Sequence, residues 1–438
     1  MAENPMWKMI EHRKNGKKAG IYSACSANEF VIEAVLERAA QTDTDALIEA
    51  TANQVNQFGG YTGMLPEDFV RFVHGIAKKV HFPADRVILG GDHLGPLVWQ
   101  NEPEESALEK AKDLVNAYVK AGFQKIHIDT SMRLGDDNPD EKLPDERIAD
   151  RAAKLVRVSE AAYDNVLREH ATTRTAPAAP VYIIGSEVPI PGGAQENNEL
   201  VTVTKAYEFQ KTYETFRERF LTDGLGAAFD RVIAVVVQPG VEFADASVKE
   251  YNREEAAELC NALRAYPGVV FEGHSTDYQT RKALKEMVED GVAILKVGPA
   301  LTYALRQALF ALNDIEETVL TGRGAEHSMF RATLEQVMLA DDSQWRKHYH
   351  GSVQEIALKR QYSFSDRCRY YLPEKDVVLS IARLIHNIDN AEIPISVLEQ
   401  FLPVQYQHLR EGRIGLKARE LLKDRIKDYI DDYLYAIL

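Results

Sequence analysis

The feature that most constrains this chain is an alternation repeated eight times. Short apolar runs, "AGIYSA" (19–24), "ALIEAT" (46–51), "VILGGD" (87–92), "KIHIDT" (125–130), "VYIIGSE" (181–187), "RVIAVVVQ" (231–238), "VVFEGH" (269–274) and "AILKVG" (293–298), are separated by longer amphipathic stretches. Each run is rich in β-branched residues and ends in glycine or a polar residue, the pattern of a buried strand. The stretches between them, such as 27–41, 103–123 and 253–268, carry apolar residues at spacings of three and four, which predicts helices. Regular strand–helix alternation implies a parallel sheet with right-handed crossovers. Eight such units predict a closed (β/α)8 TIM barrel over residues 15–320. The chain carries neither a GxGxxG nor a GxxxxGK[ST] loop, the phosphate-binding signatures of open nucleotide-binding sheets.

Beyond residue 320 the strands stop and helical segments such as 377–388 and 416–438 follow, which predicts a helical extension over 321–438 packed on the barrel. Segments 135–147 and 171–180 read as solvated loops. The 438 residues are 45% hydrophobic, enough for a core of this size. With 52 basic and 67 acidic side chains the formal charge is −15, which repels a polyanionic nucleic acid. No run approaches the ~18 apolar residues of a membrane span, and the first stretch lacks a signal-peptide core. A cytoplasmic protein that binds neither nucleic acid nor membrane is therefore expected. Cys25, Cys260 and Cys368 lie far apart without CxxC spacing and read as spectator thiols.

In a barrel of this kind, catalytic groups sit at the C-terminal ends of the strands. Here those ends carry Glu49, with Asn53 and Gln54 beyond it, then Asp92 and His93, His127 and Asp129, Ser186 and Glu187, Gln238, Glu272, His274 and Asp277, and Lys296. Burying so many ionisable groups is costly unless they pair or bind metal, so their convergence predicts one site. His93, Glu187 and His274 form an N/O set suited to a divalent ion such as Zn2+ or Mn2+, with Gln238 or Glu272 as a further ligand. Glu272 and His274 are two apart and share a strand face, which leaves open which of them ligates. Gly273, Ser275, Gly298 and Thr302, with Lys296 beside them, occupy the loops where barrels commonly hold a phosphate. "GPALT" reads equally as a helix start with proline in its first turn. If the helical tail covers the barrel mouth, "SFSDRCR" (363–369) adds Ser365 and Arg367 to that phosphate site. Met132, Tyr303, Phe310 and the aromatics of "RYYLPEK" read as packing.

The segments "ILGGDHLGP", "GFQKIHIDTSM", "GSEVPIPGGA", "FEGHSTDYQ", "ILKVGPALTYALRQALFAL" and "YSFSDRCRYY" together resemble the non-catalytic subunits of class II D-tagatose-1,6-bisphosphate aldolases, the GatZ/KbaZ type, over nearly the whole chain. That family is distantly similar to the catalytic class II aldolases, in which an Asp-His pair follows strand three. The resemblance implies that Asp92 is an acid/base group and His93 a zinc ligand. It also likens Asp129 to the aspartate of the aldolases' Asp-Gly-Ser. Where the aldolases place zinc-binding histidines after strands six and seven, this chain has "VVVQPG" and "FEGHST", putting Gln238 or Pro239 and Glu272 near those positions. The resemblance thus predicts an incomplete three-histidine set.

Two functions follow from the resemblance. One is an accessory subunit that stabilises and activates an aldolase catalytic subunit. The other is a metal-dependent 4-epimerase acting on D-tagatose 6-phosphate and D-fructose 6-phosphate, or on the free ketohexoses, as described for some proteins of this type. The presence of Asp92, His93, Asp129, Glu187, Glu272, His274 and Lys296 favours the epimerase, because a site without chemistry has no use for costly buried charges. In that reading Asp92 and a second carboxylate, Asp129 or Glu272, move protons during retro-aldol cleavage. The expected partners are a small ketohexose or its phosphate, an aldolase catalytic subunit in the accessory reading, and further copies of this chain in a homo-oligomer.

Overall fold

The computed structural model describes residues 3–170, 177–188, 201–322, 324 and 326–438. Its centre is a closed barrel of eight parallel strands: β1 (Ile21–Cys25), β2 (Ala46–Thr51), β3 (Val87–Leu94), β4 (Lys125–Ile128), β5 (Val181–Ile184), β6 (Val232–Val237), β7 (Val270–Gly273) and β8 (Val292–Val297). Each strand pairs with its sequence neighbours, and β8 closes on β1 through the register Ile21–Ile294 to Ala24–Val297. All eight expected strands form, because runs such as "VIAVVV" are apolar on both faces and suit a strand covered by side chains inside and helices outside. The expected loop at 171–180 is described only from residue 177, and the end of the "GSEVPIPGGA" segment, from residue 189, lies outside the described residues. None of the described helices is long and apolar enough to cross a membrane.

The barrel interior has two storeys. The lower is apolar, with Leu47, Ile88, Val181, Ile183, Ala234, Val236, Val270 and Ile294. The helix Met6–Lys14, which precedes the expected barrel start at residue 15, closes this floor with Met6, Met9 and Ile10. Asn4 secures it by donating to the carbonyls of Gln124 and Ala179, just before β4 and β5. The upper storey is polar and is the subject of the next section.

Beyond residue 320 the chain is helical among the described residues, and its last helix, Ala418–Ile437, returns to the barrel wall. It packs on the helices Glu29–Thr42, Arg281–Asp290 and Pro299–Leu320, burying Leu421, Leu422, Ile426, Ile430 and Leu434. Lys427 pairs with Glu37 at 2.6 Å and Arg419 with Glu33 at 2.9 Å along the same seam. One continuous apolar core runs from the outer face of the barrel into the extension.

The segment "VILGGDHLG" folds around three close approaches. A Cβ on Gly90 would lie 2.5 Å from Glu49 Cγ, one on Gly91 2.6 Å from Leu94 Cδ1, and one on Gly95 1.7 Å from the carbonyl oxygen of Asp129. Strict alternation would send the adjacent Asp92 and His93 to opposite faces. Instead the β3–β4 register shifts between Gly91 and Leu94, and His93 adopts φ +50°. This bulge turns both side chains inward, where each is 3% exposed. Gly95→Ala is expected to cost ~2 kcal/mol or more because the backbone itself obstructs the new methyl. Gly75→Ala, in the exposed middle of the helix Pro66–Lys79 with no atom within 4 Å, should stabilise by ~0.5–1 kcal/mol. Paired thermal denaturation measures both.

Candidate active site

Strand ends β3, β4 and β7 bring together three imidazoles, His93, His127 and His274. Their ring centroids are 5.1 Å (93–127), 5.0 Å (93–274) and 5.2 Å (127–274) apart. Each ring is tied through one nitrogen to its own carboxylate: His93 Nδ1 to Asp129 Oδ2 at 2.8 Å, His127 Nδ1 to Asp92 Oδ1 at 2.8 Å, and His274 Nε2 to Glu272 Oε1 at 3.0 Å. A carboxylate on one ring nitrogen favours the N–H there and the lone pair on the other; at His127 the backbone N–H of His93 also points at Nδ1, 3.2 Å away, so two groups compete for that nitrogen. His127 Nε2 is buried with no hydrogen-bond partner, a cost that a bound cation would remove. One ligand atom from each of Asp92, His93, His127 and His274 lies within 4.8 Å of the others, so the cluster could hold a metal ion.

Beneath the histidines runs a chain of buried charges. Lys125 Nζ lies 2.7 Å from both Glu49 Oε1 and Glu272 Oε2, and all three side chains are fully buried. Lys296 Nζ contacts Glu49 Oε2 and lies 3.1 Å from Asp92 Oδ2. The network holds four carboxylates (Asp92, Asp129, Glu49, Glu272) against two ammonium groups (Lys125, Lys296) and His93, whose burial opposes protonation but is outweighed by Asp92 and Asp129, which push the imidazole toward the protonated form. This is a shortage of positive charge that a divalent ion in place of the His93 proton would relieve. Burial pushes Asp92 up, but Lys296 and His93 hold it well below the usual carboxylate range. For Asp129 burial is likewise outweighed, chiefly by His93, and its value falls to about 2. Burial pushes His274 down to about 4, so its imidazole is neutral near pH 7. Lys296 is raised well above its ordinary value, burial being overcome by Asp92 and the other carboxylates, and it stays charged.

The expected residues divide on this geometry. Asp92, His93, His274, Ser275 and Lys296 line one cleft at the barrel mouth, with Gln54, Asp277 and Cys25. Burial pushes the Cys25 thiol well up, so it is not an ionised nucleophile. Asp129 and Glu272, expected as acid/base groups, sit behind the imidazoles and do not line the cleft. Glu187, expected as a metal ligand, accepts from Thr204 Oγ1 at 2.9 Å and faces Lys142, because it lies past the end of β5 on the outer rim. Gln238, the other expected ligand, turns back to accept the N–H groups of Gly240 and Val241. His127 takes the place assigned to these two. Three histidines therefore do meet, through β4 and not through a residue after β6. Strand parity held the signal: Lys125, His127 and Asp129 share one face of "KIHIDT".

The expected phosphate cradle is also rearranged. Asp277 Oδ1 accepts the N–H groups of Gly298 (3.0 Å) and Ala300 (2.7 Å), so a carboxylate already caps the helix Pro299–Leu320. Thr302 Oγ1 donates to Asp366 at 2.7 Å. Gly273 is a packing position, where a Cβ would meet Val292 Cγ1 at 2.7 Å. Ser365 is buried against Tyr349 and Ser363, and Arg367 donates to the carbonyl of Gln344. The extension's contribution to the cleft is Arg369 and Tyr370, from a segment whose aromatics read as packing.

Burial raises Asp277 from its ordinary 3.8 to about 6. The folded state therefore holds this proton more tightly than the unfolded chain does. The associated stability is complete below the unfolded value and is lost as pH rises through about 6. Asp277→Asn retains the acceptor oxygen without the charge. Its melting temperature relative to the parent should climb between pH ~4 and ~7, and a constant difference would show that the carboxyl does not titrate in this range.

Residues 6–438 match the family described as D-tagatose-1,6-bisphosphate aldolase subunit GatZ/KbaZ-like. Among solved structures, a Sinorhizobium meliloti 1021 protein described as a probable tagatose 6 phosphate kinase is 42% identical, with 95% of this chain and all of that chain covered, at a TM-score of 0.86. The YdjI aldolase of Escherichia coli K12 aligns at 13% identity over 72% of this chain and 88% of its own, with a TM-score of 0.41. A fructose-bisphosphate aldolase of Campylobacter jejuni aligns at 14% over 92% and 95%, with a TM-score of 0.43. Neither of these two distant alignments bears on the chemistry. The whole-length family match and the 42% identical relative together establish that the chain belongs to the D-tagatose-1,6-bisphosphate aldolase subunit GatZ/KbaZ-like family.

Proposed function

We propose that this chain is a metal-dependent 4-epimerase interconverting D-tagatose 6-phosphate and D-fructose 6-phosphate in the cytoplasm. The observation that carries this reading is the triangle of imidazoles, each backed by a carboxylate, around the unpartnered His127 Nε2. A Zn2+ or Mn2+ ion held by His93, His127 and His274 would supply Lewis acidity toward the ketose carbonyl. Asp92 lines the cleft and is kept ionised, so it accepts the proton of the substrate 4-hydroxyl. The O4–H electron pair forms the C4 carbonyl as C3–C4 breaks, and the C3–C4 pair forms C2=C3 while the carbonyl π pair moves to O2, leaving the three-carbon fragment as an enediolate. The aldehyde rotates to present its other face, C3–C4 re-forms, and Asp92 returns the proton to O4 with C4 inverted. The permanent charge of Lys296, 3.1 Å from Asp92, offsets the negative charge that develops at the cleft. Asp129 and Glu272 position His93 and His274.

A second reading rests on the word "subunit" in the family description: the chain would then stabilise a class II aldolase catalytic subunit. The kinase activity in the description of the 42% identical relative finds less support here, because the sequence has no P-loop and the cleft is built of carboxylate-backed histidines.

The purified chain alone, incubated with D-fructose 6-phosphate and Zn2+ or Mn2+, should form D-tagatose 6-phosphate, detected by 13C NMR. Asp92→Asn should slow turnover about 10²- to 10⁴-fold with an unchanged circular dichroism spectrum. An inert chain that raises the activity of an added aldolase would establish the accessory reading. Calorimetric titration of chelator-treated protein should show one divalent ion per chain, and Asp129→Ala, which removes the carboxylate behind His93 together with its two hydrogen bonds from Ser131, should weaken that binding about 10- to 100-fold.

A further inference from the structure

A second recess adjoins the cleft, sharing Cys25, Gln54, Tyr61 and Arg369 with it. We propose that this recess, centred on Arg369, anchors the phosphate group of a phosphate monoester, so that the C-terminal extension selects phosphorylated over free ketohexose. The orientation of the sugar rests on the epimerase reading, and the anion site does not.

Three side chains lining the recess have their acceptor oxygens already engaged. Ser26 Oγ accepts the N–H of Asn28 at 3.2 Å. Asn28 Oδ1 caps the helix Glu29–Thr42 by accepting the N–H groups of Phe30 (3.0 Å) and Val31 (3.4 Å). Gln54 Oε1 accepts the N–H of Thr51 at 2.8 Å. What these residues have left to offer is one hydroxyl proton and two amide NH2 groups, so the lining presents donors and suits an anion.

Arg369 supplies the charge. Its Nη1 donates to the backbone carbonyls of Ser365 and Asp366, and its Nη2 to Tyr370 Oη at 2.9 Å. Its guanidinium lies 4.4 Å from the Tyr370 ring centroid, with Arg367 4.9 Å from the same centroid. Neither arginine forms an ion pair among the described residues. The neighbouring Arg306, by contrast, pairs with Asp366 at 2.8 Å. The carboxylates facing Arg369 are committed elsewhere, Asp366 to Arg306 and Asp277 to the N–H groups of Gly298 and Ala300, so two adjacent guanidinium groups hydrogen-bonded only to neutral acceptors form a cationic centre that a further anion can approach. A phosphate monoester brings up to two negative charges and three acceptor oxygens, which match one guanidinium and several neutral donors. The usual barrel site at the start of the helix after β8 is closed by Asp277, so the recess is where such a group finds free donors. Because recess and cleft share a wall, a phosphate held at Arg369 leaves the rest of the sugar free to enter the cleft.

The test is calorimetric and reads binding without turnover. The full chain is titrated with D-fructose 6-phosphate, D-fructose and inorganic phosphate. The phosphorylated sugar should bind about 100-fold more tightly than fructose, and inorganic phosphate should bind and compete with it. Arg369→Met should reduce the preference for the phosphorylated sugar about 10- to 100-fold, and Arg369→Lys by less. Circular dichroism checks the fold. Gln54→Glu, which keeps the acceptor for the Thr51 N–H and adds a negative charge to the recess, serves as the independent variant and should also erode the preference. Equal affinity for the two sugars, or phosphate binding that neither Arg369→Met nor Gln54→Glu changes, would overturn the proposal. A protein without epimerase activity that still binds the phosphorylated sugar through Arg369 refutes the epimerase and keeps the anchor. An active epimerase indifferent to both variants does the reverse.

Discussion

The polar storey of the barrel depends on one buried ammonium group. Lys125 stands with both of its carboxylates fully buried, 2.7 Å from Glu49 on β2 and 2.7 Å from Glu272 on β7. Two carboxylates facing each other across a dry barrel would repel, and each would be driven to take up a proton. Lys125 between them offsets that repulsion, and each can then hold a second partner: Glu272 fixes His274, and Glu49 holds Lys296 beside Asp92. Asp92 in turn fixes His127. The orientation of two imidazoles and the charge of the cleft carboxylate thus trace back to a single lysine. Removing one member would strand a buried charge, a far larger loss than the modest net value of an intact buried pair.

The barrel keeps this network affordable by separating it from the apolar floor. Met6, Met9 and Ile10 seal one end of the interior, so the charges need to be satisfied only at the other. The β3 bulge concentrates them further, because it delivers two adjacent side chains to one face at the cost of a left-handed His93. The same strand needs glycine at 90, 91 and 95 to let Glu49, Leu94 and the backbone of Asp129 come close. Site and strand sequence are one solution here, and the glycines make room for the chemistry without taking part in it.

The extension belongs to both wall and mouth. Its last helix covers the junction where the first and eighth repeats meet, and its 3-10 turn Arg367–Tyr371 reaches over the cleft. Anything that loosens that packing would move Arg369 relative to the histidines, which couples stability of the extension to recognition at the mouth.

The sequence by itself determined the closed (β/α)8 barrel, its eight strand positions and the helical tail, because period and apolarity are local properties that survive in any register of the folded chain. It also brought Asp92, His93, His274 and Lys296 to the same end, since a strand end is visible in a run such as "VILGGDH" or "AILKV". What only the tertiary structure decided was which of the remaining polar residues face inward. His127 joined the histidines and Glu187 and Gln238 did not, because His127 lies inside β4 on its inward face, whereas Glu187 and Gln238 lie past the ends of β5 and β6, where the turns set the direction of each side chain. Asp129 and Glu272 became supports, and Asp277 took the helix terminus expected to hold phosphate. Arg369 reached the cleft and Arg367 did not, although they are two residues apart, because tertiary packing sets the direction of each guanidinium in that single 3-10 turn. Periodicity fixes elements, whereas the meeting of side chains from five separate segments depends on distances that no local pattern encodes.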